Sequence, residues 1–319
     1  MKSRLQELNP DNARAVKIHT FHSFCSRVLR TYGCDVLGDL VNNSSFASNF
    51  TTFDQTESLG IVKNILKRNQ LKSLKEDDIF HQITKLKESI VLNWTNQDPK
   101  FTLSSTRVDQ LLYDSYERDI RENNAADFCD LLVLTWRLLR EYPVIRADLQ
   151  RDYQHILIDE YQDTNLLQYE ITKLLYQPPA KESLVHRPDL LVTNPRSLFV
   201  VGDANQSIYS WRGALPENLN RLSNDFPNCL QYDLKVNYRS SPNILTAANA
   251  ILGNISTTPP VEKVDLDHLP VYIYSAKDDL TQAEFICRSL KSMTGKSRAI
   301  LYRTNAQSHA LEVQLSPLP

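Results

Sequence analysis

Two adjacent carboxylates, Asp159 and Glu160, close the short apolar run His155-Ile156-Leu157-Ile158, and such a pair at a strand end can do metal-assisted chemistry. A buried parallel strand reads as a continuous β-rich run, and open α/β sheets gather ligands at the carboxyl ends of such strands. Asp159 is placed to hold Mg²⁺ and Glu160 to activate water. Phosphoryl transfer needs that division, since one carboxylate neutralises phosphate charge through the metal while the other positions the nucleophile. For an isolated Asp-Glu pair, an acidic turn after a core strand would be the better explanation.

The pair is not isolated. Forty-four residues after Asp159 a second run, Leu198-Phe199-Val200-Val201-Gly202, ends in Asp203 and continues through Gln206, Tyr209, Trp211 and Arg212 to Ala214. Two strand-to-polar-turn units suggest neighbouring strands of one sheet, with Gln206 able to sense a phosphate near the first unit's carboxylates. Tyr209 and Trp211 beside Arg212 suit stacking on unpaired bases, worth roughly 1–3 kcal/mol per base. Alone, these aromatics would read as core residues next to a solvated arginine.

Periodicity and breakers outline the elements that must position these residues. Val16 to His19 reads as a strand, and Phe21 to Tyr32 as a helix opened by the Thr20/Ser23 polar pair. Residues 34–150 read as mostly helical, with polar loops near Asn42 to Ser45 and Asn96 to Pro99. Within them Asp127-Phe128-Cys129-Asp130-Leu131-Leu132 reads as a helix start with a packing role. The sheet returns over 151–236, interrupted by a Pro-bearing loop from Gln177 to Pro195. A second unit occupies 237–319, with a polar excursion from Asn254 to Pro270 and a strand from Ala299 to Tyr302.

Five segments, in this order, resemble motifs of the UvrD, PcrA and Rep group of superfamily 1 DNA helicases. Thr20-Phe21-His22-Ser23-Phe24 resembles motif Ia, Ile158 to Asn165 motif II, Val201 to Ala214 motif III, and Asn237-Tyr238-Arg239-Ser240 motif IV. Ala299 to Ser308 resembles the strand and turn that follow motif IV. Five motifs in one order are far more specific than any single match.

The resemblance implies an α/β fold with a RecA-like, P-loop NTPase-type parallel sheet. It divides the chain into a first RecA-like domain (1–33 and 151–236), a helical insertion (34–150) and the start of a second RecA-like domain (237–319). It implies ATP and Mg²⁺ as cofactors, with Asp159 on the metal, Glu160 as catalytic base and Gln206 at the γ-phosphate or attacking water. Tyr238 would stack on adenine and Arg239 would act as an arginine finger, a role worth ~10³–10⁵ in rate elsewhere. Thr20, Phe21, His22, Tyr209, Trp211, Arg212, Arg303 and Asn305 would line a single-stranded DNA track with phosphate contacts and sequence-tolerant stacking. The expected activity is 3′ to 5′ helicase or translocase action at duplex–single-strand junctions, in DNA repair or replication.

The departures from the family pattern are specific. No G-x-x-x-x-G-K-[ST] loop, which would cradle phosphates, occurs in the 319 residues. Gly295-Lys296-Ser297 is a decoy, because Leu290 stands where the first glycine belongs. Met1 to Leu5 resembles the middle of a helix downstream of that loop, and motifs V and VI have no counterpart, so a truncated chain is the expectation. Ala204-Asn205 stands where the family usually has acidic residues. Two classes remain open here: an ATP-dependent helicase, or a non-enzymatic remnant that binds single-stranded DNA or a partner without turnover. A helicase-nuclease is disfavoured by Asp163-Thr164-Asn165, which follows the UvrD pattern.

Composition adds bounds. A length of 319 residues exceeds one typical domain. The five cysteines, at 25, 34, 129, 229 and 287, form no C-x-x-C pair, which implies reduced thiols in an intracellular compartment and argues against zinc. No run approaches the roughly 20 apolar residues of a membrane span, and Met1 to Leu8 lacks the apolar core of a secretory signal. A net charge of −2 gives DNA binding no general support, though residues 1–33 hold six basic against two acidic residues around motif Ia.

Overall fold

The computed structural model describes residues 2–33, 36–41, 43, 46–71, 73–96, 107–178, 195–210, 213–252, 270–293 and 297–315. The chain divides into two compact units, Met1–Cys229 and Leu230–Pro319. In the first unit α1 (Lys2–Leu8), α2 (Phe21–Tyr32) and α3 (Leu37–Leu40) are followed by β1 (Thr51–Thr52). Then come α4 (Gln55–Arg68), α5 (Glu76–Asn96), α6 (Arg107–Glu122), β2 (Ala125–Ala126), α7 (Phe128–Glu141) and α8 (Pro143–Asp152). The unit closes with β3 (His155–Ile158), α9 (Leu166–Tyr176), β4 (Ser197–Val200) and α10 (Asn218–Asp225). The second unit contains α11 (Pro242–Ile251), α12 (Asp279–Ser292) and α13 (Ser308–Leu315).

Helix starts follow local chemistry. Thr20 accepts from the Ser23 amide while the Ser23 side chain accepts from the Thr20 amide, a reciprocal cap that starts α2 at Phe21 as the sequence predicts. Asp54, Asp127 and Asn165 cap α4, α7 and α9 in the same way. Each such cap contributes about 1 kcal/mol. The Asp127-to-Leu132 segment is thus a helix start, as expected.

α7 is apolar nearly all round, with Leu131, Leu132, Val133, Leu134, Trp136, Leu138 and Leu139 buried, and such a helix belongs inside. It packs against α2, α5, α8 and α9. One core joins α2, α3, α7, α8 and α9, so α7 and α8, which fall within the expected 34–150 insertion, share their interior with α2. A second core, containing Val62, Ile65, Ile83, Leu112, Tyr116 and Ile120, belongs to α4, α5 and α6.

A buried charge network lies where α5 and α6 meet the start of α7. Lys87 Nζ sits 2.8 Å from Glu117, 2.8 Å from Asp127 and 2.6 Å from Asp130. Arg121 reaches Asp130 at 2.8 Å and Glu117 at 3.0 Å, and the Tyr116 hydroxyl donates to Asp127 at 2.9 Å. Burial opposes the Lys87 charge, but Asp127, Asp130 and Glu117 outweigh it and hold the ammonium protonated well above the ordinary lysine range. Burial likewise opposes ionisation of Asp130, yet Arg121 and Lys87 keep that carboxyl well below the usual carboxylate range.

A carboxyl depressed on folding stabilises the protein above its unfolded value, about 3.9 for Asp, and loses that contribution as pH falls through the folded value. The unfolding midpoint should therefore decline from about pH 4 downward. In Asp130→Asn that acid slope should flatten on top of a lower baseline. Thermal unfolding of both proteins across the acid range checks this, and parallel slopes would dismiss Asp130 as the source.

β3 and β4 pair in parallel with Ile156 opposite Leu198 and Ile158 opposite Val200. The two strand-to-turn units are neighbours in one sheet, as the sequence suggests. The expectation of strands buried on both faces is corrected, since Leu157 and Phe199 are 74% and 58% exposed. Parallel sheets are buried on both faces only when both are covered. Here Ile158, Leu198 and Val200 pack with Tyr161, Tyr169, Leu219 and Leu222, and the opposite face is open among the described residues.

Two further expected strands are corrected. Val16 to His19 and Ala299 to Tyr302 lie outside regular structure, and Leu301 is 93% exposed. A strand exists through its ladder, and neither run finds a ladder partner among the described residues. In the second unit α12 packs on α13, and Tyr274 stacks on Phe285 at 3.8 Å between ring centres. The expected sheet of a second RecA-like domain has no strand among the unit's described residues. The expected loops at Asn42 to Ser45, Asn96 to Pro99, Gln177 to Pro195 and Asn254 to Pro270 lie largely outside the described residues, as does much of Gly295-Lys296-Ser297.

Candidate functional site

The pairing of β3 and β4 continues beyond both strands. The Val201 amide donates to the Ile158 carbonyl, and the Tyr161 amide to the Val201 carbonyl, each at 2.9 Å. These bonds bring the turn after β3 against the turn after β4. Thr164 anchors the first turn: its hydroxyl donates to the Tyr161 carbonyl at 2.6 Å. The buried side-chain amide of Asn218 donates to the Thr164 carbonyl at 3.0 Å.

Asp159 and Glu160 are exposed at this edge. Glu160 adopts φ 52° and ψ 45°, the left-handed region, which costs a non-glycine residue on the order of 1–2 kcal/mol. Its amide donates to the Asp159 carboxylate at 3.0 Å, within the same turn. Backbone strain held by surrounding bonds at a polar edge is a signature of functional turns.

Gln162, 1% exposed, is the hinge of the arrangement. Its Nε2 donates to the Glu160 carboxylate at 2.7 Å, and its Oε1 accepts from the Asp203 amide at 3.0 Å. Asp203 accepts from Asn205 N at 3.0 Å, and the Gln206 side chain donates to it at 2.8 Å. Hydrogen bonds therefore run from Glu160 through Gln162 and Asp203 to Gln206. Gln162 carries no role in the sequence reading; its neighbours in the motif are visible there, but its partner amide lies 41 residues away.

The remaining predicted residues are placed as follows. Thr20 uses its hydroxyl to cap α2, Phe21 packs against the larger core, and His22 meets Phe128 edge-on at 5.4 Å. Burial lowers the His22 pKa, which favours the neutral ring. Tyr209 is partly exposed in the turn after β4, while Trp211 and Arg212 lie outside the described residues. In the second unit Tyr238 and Arg239 are exposed, with the Asn237 side chain accepting from the Arg239 and Ser240 amides. Arg303 and Asn305 are exposed in the turn before α13, where Gln307 accepts from the Arg303 amide.

The edge offers hard oxygen donors, which suit Mg²⁺. That ion commonly takes one or two carboxylates and completes its shell with phosphate and water. Among the described residues no three His, Cys, Asp or Glu side chains form a protein-only metal cluster. No helix among them is long and apolar enough to cross a membrane.

A parallel strand pair ending in an acidic turn and an Asp–Gln turn, supported by helices, is an α/β arrangement with polar groups gathered at the carboxyl ends of its strands. Residues 1–227 match the UvrD/REP helicase N-terminal domain, and residues 232–318 match the UvrD-like helicase C-terminal domain. The chain belongs to the UvrD-like helicase family, whose domains are RecA-like α/β units. It is 35% identical over 321 aligned residues to the ATP-dependent DNA helicase PcrA of Staphylococcus aureus, covering 98% of this chain and 40% of the relative. The PcrA of Staphylococcus epidermidis is 33% identical, with 98% and 41% covered. The chain thus spans about two fifths of the length of these relatives.

Proposed function

We propose that this chain carries nucleotide-hydrolysing and DNA-contacting parts of an ATP-dependent helicase that moves 3′ to 5′ on single-stranded DNA. It would open duplexes at junctions with single strands, in repair or replication, inside the cell where DNA is held. The observation that carries the reading is the bonded path from Glu160 to Gln206 across adjacent parallel strands. It joins the two turns that hydrolysis and DNA contact would share.

In this reading Asp159 holds Mg²⁺, Glu160 orients and deprotonates the attacking water, and Gln206 answers to the terminal phosphate. Bound Mg²⁺ would supply charge neutralisation at the phosphates. Tyr238 would stack on adenine and Arg239 would offset charge on the transferred phosphoryl. Thr20, Phe21, His22, Tyr209, Trp211, Arg212, Arg303 and Asn305 would follow the DNA strand, with the inward packing of Phe21 and His22 limiting their share. The domain plan is a first RecA-like domain over 1–33 and 151–236, an inserted helical subdomain over 34–150, and the start of a second RecA-like domain from 237.

A second reading is a chain that binds single-stranded DNA or a partner without turnover. ATP turnover by the 319-residue chain, with and without single-stranded DNA, decides between them. Under the first reading DNA stimulates turnover, and Glu160→Gln lowers it by ~10²-fold or more, the worth of a general base. A wild-type rate equal to that of the variant would overturn turnover by this chain and make it an inert fragment of its helicase family.

A further inference from the structure

We propose that Gln162 is a positioning residue that aims the Glu160 carboxylate and locks it to the turn bearing Asp203 and Gln206. The inference rests on the hydrolytic reading of Glu160 and adds to it a buried residue that acts through its neighbours. Three observations carry it.

First, the two ends of one buried amide are used on different strand ends, at 2.7 Å to Glu160 and 3.0 Å to the Asp203 amide. A carboxylate only accepts and a backbone N–H only donates, so one orientation of the Gln162 amide satisfies both. Second, the residue it aims is conformationally costly. Glu160, at φ 52°, has its carboxylate held by the Gln162 amide and its backbone N–H held by the Asp159 carboxylate. Third, the space for the amide is carved out of the neighbouring strand end. A Cβ on Gly202 would stand 2.7 Å from Gln162 Oε1 and 3.2 Å from its backbone nitrogen. Gly202 is thus the place where the second turn yields room to the first.

The consequence is mechanical. Movement of the Asp203–Gln206 turn pulls on an amide whose other end holds Glu160, so a change in that turn is felt at the proposed base. A hydrogen bond to an ionised group is stronger than one between neutral groups and so favours one side-chain orientation over its alternatives.

Two substitutions separate the ends of the amide. Gln162→Met removes both bonds at similar length. Gln162→Glu keeps an oxygen acceptor for the Asp203 amide and sets a carboxylate against Glu160, where like charges repel. Hydrogen exchange at the Asp203 amide, read by NMR on the full chain, reports the bridge without any turnover. In Gln162→Met that amide should exchange about 3- to 10-fold faster, the loss of one net hydrogen bond. In Gln162→Glu it should keep its protection.

With ATP and single-stranded DNA, both variants should lose about 10-fold or more in kcat while KM for ATP stays within about 2-fold, because alignment of the base acts on the chemical step. A purely structural glutamine would lower the unfolding midpoint without this split. Unchanged Asp203 exchange in Gln162→Met overturns the bridge. Unchanged kcat in both variants, alongside a dead Glu160→Gln, overturns the positioning role. Equal turnover by wild type and Glu160→Gln overturns the hydrolytic reading instead, and amide exchange still reads the bridge by itself. If Gln162→Met does not fold, Gln162→Glu carries the kinetic comparison.

Discussion

Lys87→Met should cost the first unit ~3–5 kcal/mol, the usual penalty for breaking a buried ion pair from one side. The ammonium is 2% exposed and lies within 2.8 Å of three carboxylates. Without it, Asp127 and Asp130, each 3% exposed, keep Arg121, the Tyr116 hydroxyl and each other's backbone N–H as buried partners. Methionine fills the lysine stem's volume, so packing loss is small and the effect reads the charge. For 150–250 residues each 1 kcal/mol moves the midpoint by ~2–4 °C, giving a fall of roughly 6–20 °C.

Lys87→Arg should not rescue the protein fully. A rigid planar fork cannot reproduce three short contacts radiating from one nitrogen. Calorimetry or circular dichroism checks both variants, and a midpoint within about 2 °C of wild type in Lys87→Met would mean the three carboxylates are hydrated rather than paired. The network sits where the smaller core of α4, α5 and α6 meets α7 of the larger one.

Gly202→Ala should disable the candidate site while leaving the fold largely intact. The new methyl would overlap Gln162 Oε1 at 2.7 Å, approach its backbone nitrogen at 3.2 Å and meet Leu219 Cδ2 at 3.3 Å. The first contact is with the end of a side chain, which can move, but moving it breaks the bonds to Glu160 and the Asp203 amide. Overpacking of this kind costs about 1–3 kcal/mol. Under the hydrolytic reading turnover should fall as in Gln162→Met, although neither Glu160 nor Gln162 has been altered. Wild-type turnover together with wild-type exchange at Asp203 would show that the amide and the methyl can share the space.

The reason for the glycine is steric rather than conformational. Gly213, at φ 80°, is the described glycine whose backbone calls for a missing side chain. Gly202 is required by its neighbour's amide. A strand-ending glycine in a sequence does not reveal which of the two applies.

Several features were legible from the chain alone because their causes are local. The cap at Thr20 and Ser23, the start of α7 at Asp127, and the apolar runs of β3 and β4 each depend on residues within a few positions of one another. Adjacent strand-to-turn units also foretold the parallel pairing, since short α/β units place consecutive strands side by side. The five ordered motifs sufficed for family membership, which the matches over residues 1–227 and 232–318 show.

What the tertiary structure decided depends on partners distant in sequence. Val16 to His19 and Ala299 to Tyr302 have strand-like patterns, yet a ladder requires a neighbour that no local pattern supplies. Leu157 and Phe199 look like interior residues, yet burial belongs to the face that α9 and α10 cover. Lys87, Glu117 and Arg121 carry no local signal of their own, and only the convergence of three elements pairs them with Asp127 and Asp130. Gln162 stands two residues from Glu160 in the most informative motif of the chain, but its meaning lies in an amide on the next strand. Propensity and capping act within a turn of helix and so are written in sequence order. Burial, pairing and the aim of a side chain are set by atoms that only folding brings within a few ångströms.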